Sequence, residues 1–125
     1  PDSGNIEKVR FYVCPSCGNI LVSTGSASIF CCGRKLERML PTDTSITPKI
    51  TVEEIDTDYF VTFDHPMSKE HYLSFVAYVK SDRVFLNRLY PEQSPTCRFP
   101  RSLGGKLYVY CIKHGLFVYS EGIHG

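Results

Sequence analysis

Six cysteines and four histidines carry most of the chemistry available to this 125-residue chain. Four of the thiols form two tight corners, "CPSCG" and "CCG", at Cys14, Cys17, Cys31 and Cys32. Two residues between thiols let a chain curl round an ion, and a following glycine lets the backbone turn beneath the sulfurs. Two such corners make a closed tetrahedral site for zinc or for a single iron. A second set is more dispersed. His65 and His71 lie six residues apart in "FDHPMSKEHY", and Cys111 and His114 lie three apart in "YCIKHG". A lone loop histidine or an isolated Cys-x-x-His is commonplace. Two imidazoles in a loop shaped by Pro66, with a thiol and imidazole ending a later strand, point instead to iron, zinc or copper.

The competing reading of the four-cysteine pattern is two disulfides in an extracellular fragment. Adjacent cysteines such as Cys31 and Cys32 bridge to each other only with strain, and no charged-then-apolar leader marks secretion. The chain opens on Pro1 rather than Met, and so reads as processed or excised from something longer. No apolar run approaches the length of a membrane span. The net charge of +1 gives no argument for nucleic acid or a membrane surface as partner. The length suits one ordinary domain or two very small ones.

The elements that must position these residues divide in two. Residues 8 to 40 read as short strands round the cysteine corners: "KVRFYV", "NILVST" and "ASIF". So few residues bury too little apolar surface to fold alone, and a structural metal is the usual remedy. The polar "LPTDTSITPK", with two prolines, is a linker at about residues 41 to 48. Beyond it, "KITVEEI", "YFVTFD", "YLSFVAYVKS", "RVFLNRLY", "TCRFP", "KLYVYCIKH" and "GLFVYS" predict about seven strands of an antiparallel β-sandwich. "MSKEHY" has room for one helical turn at most. Cys97 reads as a small buried apolar residue, and Arg98 and Arg101 as part of a solvated loop.

Taken together, "FYVCPSCGNIL…CCG", "DHPMSKEHYLSF" and "YCIKHGLF" resemble desulfoferrodoxin, the two-centre form of superoxide reductase, in the right order over nearly the whole chain. The resemblance implies an all-β protein: a desulforedoxin-like lobe over residues 1–42, then an immunoglobulin-like sandwich over 43–125. It implies iron at both centres, held by Cys14, Cys17, Cys31 and Cys32 in the first, and by His65, His71, Cys111 and His114 in the second. Zinc suits either donor set. It also implies a cytoplasmic homodimer that reduces superoxide to hydrogen peroxide, supplied with electrons by a small protein such as rubredoxin. Lys49 matches a lysine of the family that would draw in the superoxide anion.

One departure matters. The family places a histidine directly after that lysine, as a fourth imidazole of the second centre. Here the residue is Ile50, and Pro48 replaces the glutamate that often precedes the lysine. The spare imidazole, His124, stands ten residues past His114. Three expectations follow: a superoxide reductase, active or diminished; a metal-binding sensory or structural module without efficient turnover; and, weakest, electron transfer through the four-cysteine centre alone.

Overall fold

In the computed structural model of the chain, the described residues are 9–42, 47–80, 83–100 and 105–119. His124, Arg101 and the middle of the linker lie outside them. Among the described residues the regular structure is all strand: β1 (Arg10–Val13), β2 (Ile20–Ser23), β3 (Phe30–Cys31), β4 (Arg34–Lys35), β5 (Lys49–Ile55), β6 (Asp58–Asp64), β7 (Leu73–Lys80), β8 (Arg83–Arg88), β9 (Thr96–Pro100), β10 (Lys106–Cys111) and β11 (Gly115–Tyr119). The "MSKEHY" segment is an irregular loop closed by paired bonds between Ser68 and His71, with Ser68 N donating to His71 O at 3.0 Å and His71 N to Ser68 O at 3.2 Å. The chain forms two compact units, Pro1–Leu40 and Pro41–Gly125.

The first unit contains two small antiparallel hairpins, β1–β2 and β3–β4. Sequence pattern missed β4, whose two residues, Arg34 and Lys35, are polar and exposed and carry no apolar alternation. The buried cluster here is only Tyr12, Cys14 and Leu36, flanked by Leu21, Ile29 and Cys31. Two of those six side chains are site cysteines. A core this small leaves much of the folding free energy to whatever the thiols bind.

The second unit has two antiparallel sheets, β5–β6–β9 and β11–β10–β7–β8. Strict alternation turns Tyr59, Val61 and Phe63 of β6 inward, with Cys97 and Phe99 of β9 beside them. From the other sheet Val76 and Tyr78 of β7 join Leu107 and Val109 of β10 in the same core. One core fed by the inner faces of two sheets is the arrangement the strand pattern predicts. Strand β7 is buried along nearly its whole length, as its run of apolar residues on both faces requires.

Candidate metal centres

In the first unit, the two cysteine corners close on each other. Gly18 and Gly33, the residues that end "CPSCG" and "CCG", have φ of 75° and 77°, the left-handed conformation that glycine enters without penalty. Cys32 itself lies at φ 54°, which an L-residue adopts only when the surroundings hold it there. Backbone bonds fix the first corner: Gly18 N donates to Cys14 O at 2.8 Å, and Cys14 N to Asn19 O at 2.9 Å. The four sulfurs lie within 4.8 Å of one another. Tetrahedral bonds of about 2.3 Å set sulfurs roughly 3.8 Å apart, so the cluster is of the size that closes on one ion. Cys17 Sγ and Cys31 Sγ are 3.6 Å apart, and all six cysteines are free thiols. That separation far exceeds a disulfide bond of about 2.05 Å.

Crowding splits the thiols electrostatically. Backbone amides, Cys17's first, pull Cys14 down to about 6 against the opposing effect of burial. Sulfur neighbours, Cys17 first, push Cys32 up to about 12. Cys31 is also raised, chiefly by Cys17. Four thiolates cannot share so small a space without a cation to neutralise them.

The second cluster occupies the end of the second unit where the chain crosses between sheets. His65 follows Asp64, the last residue of β6, and His71 stands two residues before Leu73 opens β7. Cys111 ends β10, where a bulge between Tyr110 and Cys111 shifts its pairing onto Leu73. The extra residue is Ser74 of β7, and Cys111 keeps the inward face that it shares with Leu107 and Val109. His114 lies in the turn to β11, which Gly115 closes at φ 102°. A Cβ at Gly115 would come within 2.5 Å of Thr42 Cγ2, so only glycine fits there. Ile112 N donates to Tyr72 O at 3.1 Å, tying this turn to the histidine loop.

The ligand atoms of His65, His71, Cys111 and His114 also lie within 4.8 Å of one another. The rings of His65 and His71 meet edge to face at 4.6 Å, and those of His71 and His114 at 4.9 Å. His114 Nδ1 stands 3.7 Å from Cys111 Sγ. His65 Nδ1 contacts the Pro66 carbonyl oxygen at 2.6 Å, so it carries the proton and leaves the Nε2 lone pair free. The Nε2 atoms of His65 and His71 are buried with no hydrogen-bond partner. Burial lowers the pKa of both rings. The Pro66 carbonyl opposes the shift at His65, while the charge of His114 adds to it at His71. Both rings are therefore held neutral, with unpaired lone pairs converging near a fully buried sulfur. Buried polar atoms seldom go unsatisfied, and these are placed as a metal ion would need them.

All eight cysteine and histidine positions singled out from the sequence fall in these two clusters. Lys49 belongs to neither. It opens β5 opposite Asp64, which directly precedes His65, and its side chain is exposed. Ile50 pairs with Phe63 and packs against the core to which Cys111 also belongs. Cys97 is buried as expected, and burial pushes its thiol up to about 12. Arg98 lies on β9 rather than in a loop, and its Nε donates to Asp58 Oδ2 at 2.7 Å. Asn19, not singled out from the sequence, reaches a sulfur: its Nδ2 is 3.8 Å from Cys31 Sγ. Its place directly after the glycine of the first corner was the available signal.

No family model matches the chain. Desulfoferrodoxin from Clostridium acetobutylicum is 27% identical over 117 residues, covering 87% of this chain and 94% of its own. A desulfoferrodoxin homolog from Archaeoglobus fulgidus is 28% identical over 120 residues, covering 89% and 96%. The crystal structure of the superoxide reductase from Treponema pallidum matches with a TM-score of 0.75 at 19% identity, covering 90% of this chain and 97% of that one. The structural match establishes the shared fold, and the sequence matches cover most of the chain. Over most of its length this chain is similar in sequence to desulfoferrodoxins, and it shares its fold with the superoxide reductase from Treponema pallidum.

Proposed function

We propose that this chain is a two-centre, desulfoferrodoxin-like non-haem iron protein that reduces superoxide by one electron to hydrogen peroxide. The observation that carries the reading is the pair of buried, unpartnered Nε2 atoms of His65 and His71, gathered with a buried thiol. Iron held there by His65, His71, His114 and Cys111 supplies, when bound, the ferrous–ferric couple that delivers the electron. The chain's own residues do the rest. The Pro66 carbonyl locks the His65 tautomer, and burial keeps both loop imidazoles in the neutral, ligating form. Cys111 offers its sulfur from the core, where little solvent competes with its charge. Lys49 presents an exposed ammonium near the chain entering the site, and draws in the superoxide anion. Two protons from solvent complete the peroxide.

Cys14, Cys17, Cys31 and Cys32 hold a second iron, which stores an electron or holds the small lobe folded; zinc fits either donor set. The resemblance extends the reading to a cytoplasmic homodimer served by a small electron-donor protein such as rubredoxin. Six unpaired thiols are in keeping with a reducing compartment. No helix among the described residues is long and apolar enough to cross a membrane.

One observation favours a second reading, a metal-binding sensory or structural module without efficient turnover. Ile50 packs its side chain against the core and brings no donor. Anaerobic stopped-flow mixing of the reduced, iron-loaded protein with superoxide decides between them. Oxidation of the second centre with stoichiometric peroxide supports the enzyme. An iron-loaded second centre that stays reduced rejects the enzyme and supports the module.

A further inference from the structure

Among the described residues, Asn19 reaches a side chain into the four-cysteine cluster from outside it. Its backbone is pinned on both sides. Gly18, at φ 75°, reverses the chain after Cys17, and the Asn19 carbonyl accepts the amide of Cys14 at 2.9 Å. From that fixed point the side-chain amide crosses to the other corner and stands 3.8 Å from Cys31 Sγ. A thiolate repels the amide oxygen, so the NH₂ group faces the sulfur. The same sulfur lies 3.6 Å from Cys17 Sγ, itself a member of the cluster.

We infer that Asn19 is a positioning residue of the four-cysteine centre: its side-chain amide donates an N–H···S hydrogen bond to the Cys31 thiolate and so weakens that sulfur's donation to the metal. The inference rests on reading this cluster as a metal centre. A donor facing a metal-bound sulfur withdraws charge from it. Two consequences follow from that withdrawal. The electron-rich, reduced state of a bound iron gains relative to the oxidised state, so the potential rises. The sulfur also becomes a poorer nucleophile towards alkylating reagents, whatever metal it holds. The backbone contact of Asn19 is made by its carbonyl, which any residue supplies. Changing the side chain therefore separates tuning from loop formation.

The test uses the whole chain with Asn19→Ala and Asn19→Asp, loaded anaerobically with iron for redox titration and separately with zinc for alkylation by iodoacetamide. Expected for Asn19→Ala are unchanged metal content, a reduction potential displaced to more negative values, and severalfold faster alkylation with zinc release. Asn19→Asp, close in shape but without the donor, moves both readings further the same way. Metal bound normally, with neither reading altered in either variant, overturns the role of Asn19 and leaves the metal centre standing. A wild-type chain whose four thiols take up neither iron nor zinc overturns the centre and this inference together.

Discussion

His65 Nδ1 and the carbonyl oxygen of Pro66 stand 2.6 Å apart, and this single contact decides which face of the imidazole is available to an ion. The ring donates sideways to its own backbone and turns an unprotonated Nε2 into the cluster. Loss of either loop imidazole should remove metal from the second cluster alone. In His65→Ala or His71→Ala, elemental analysis should find the four-cysteine ion retained and the second lost. Retention of both ions would place the second ion elsewhere.

Acidification should loosen the same site. The pKa values of His65 and His71 lie below the ordinary 6.5. As pH falls from 6.5 the unfolded chain takes up protons first, so the metal-free fold loses stability progressively towards the lower, folded values. Above 6.5 this contribution is fully present. Denaturant midpoints of metal-free protein at pH 7.5 and 5.5 test the sign, and the difference should shrink in a His65→Ala, His71→Ala double variant.

Gly115→Ala should be costly although it adds one methyl group. The residue lies at φ 102°, and its Cβ would meet Thr42 Cγ2 at 2.5 Å. Backbone strain alone costs about 1–3 kcal/mol, and the clash adds to it. Urea titration should show the lower midpoint, with weakened metal retention at the neighbouring Cys111 and His114.

Cys97 should stand apart from the other cysteines. Burial pushes its thiol up to about 12, so near pH 8 it stays protonated and enclosed. After chelation, alkylation of the native protein should begin at the exposed Cys17 and spare Cys97 until denaturant is added. Cys97→Ser should cost about 1–3 kcal/mol, because it buries a hydroxyl without a partner.

Ile50→His should trade stability for affinity. The side chain now packs on the core, and replacing it with imidazole forfeits about 1–2 kcal/mol of apolar burial. A donor at the start of β5 should at the same time tighten iron binding and alter the charge-transfer spectrum. Unchanged affinity and spectrum would show that this position does not reach the second centre.

Much of this was legible in the chain because its signals are local. The two cysteine corners, with their glycines, read directly as left-handed turns, and period-two patterning located the strands of the second unit. The histidine pattern brought His65, His71, Cys111 and His114 together on paper before they met in space. What could not be read depends on three dimensions. The exposed β4 carries no apolar pattern, the bulge at Ser74 that sets Cys111 opposite Leu73 has no sequence mark, and the inward turn of Ile50 follows from its register against Phe63. Asn19 escaped for the same reason, since its partner sulfur lies twelve residues away on the other corner.

The donors of the second cluster come from two stretches of chain, 65–71 and 111–114, so an ion held there fastens together segments that are otherwise joined only through the intervening strands. Such a clasp makes ion occupancy and the closure of that end of the second unit one equilibrium. A strong chelator should then behave as a local denaturant, releasing amide protons around the Tyr72–Ile112 tether well before the sheets themselves give way.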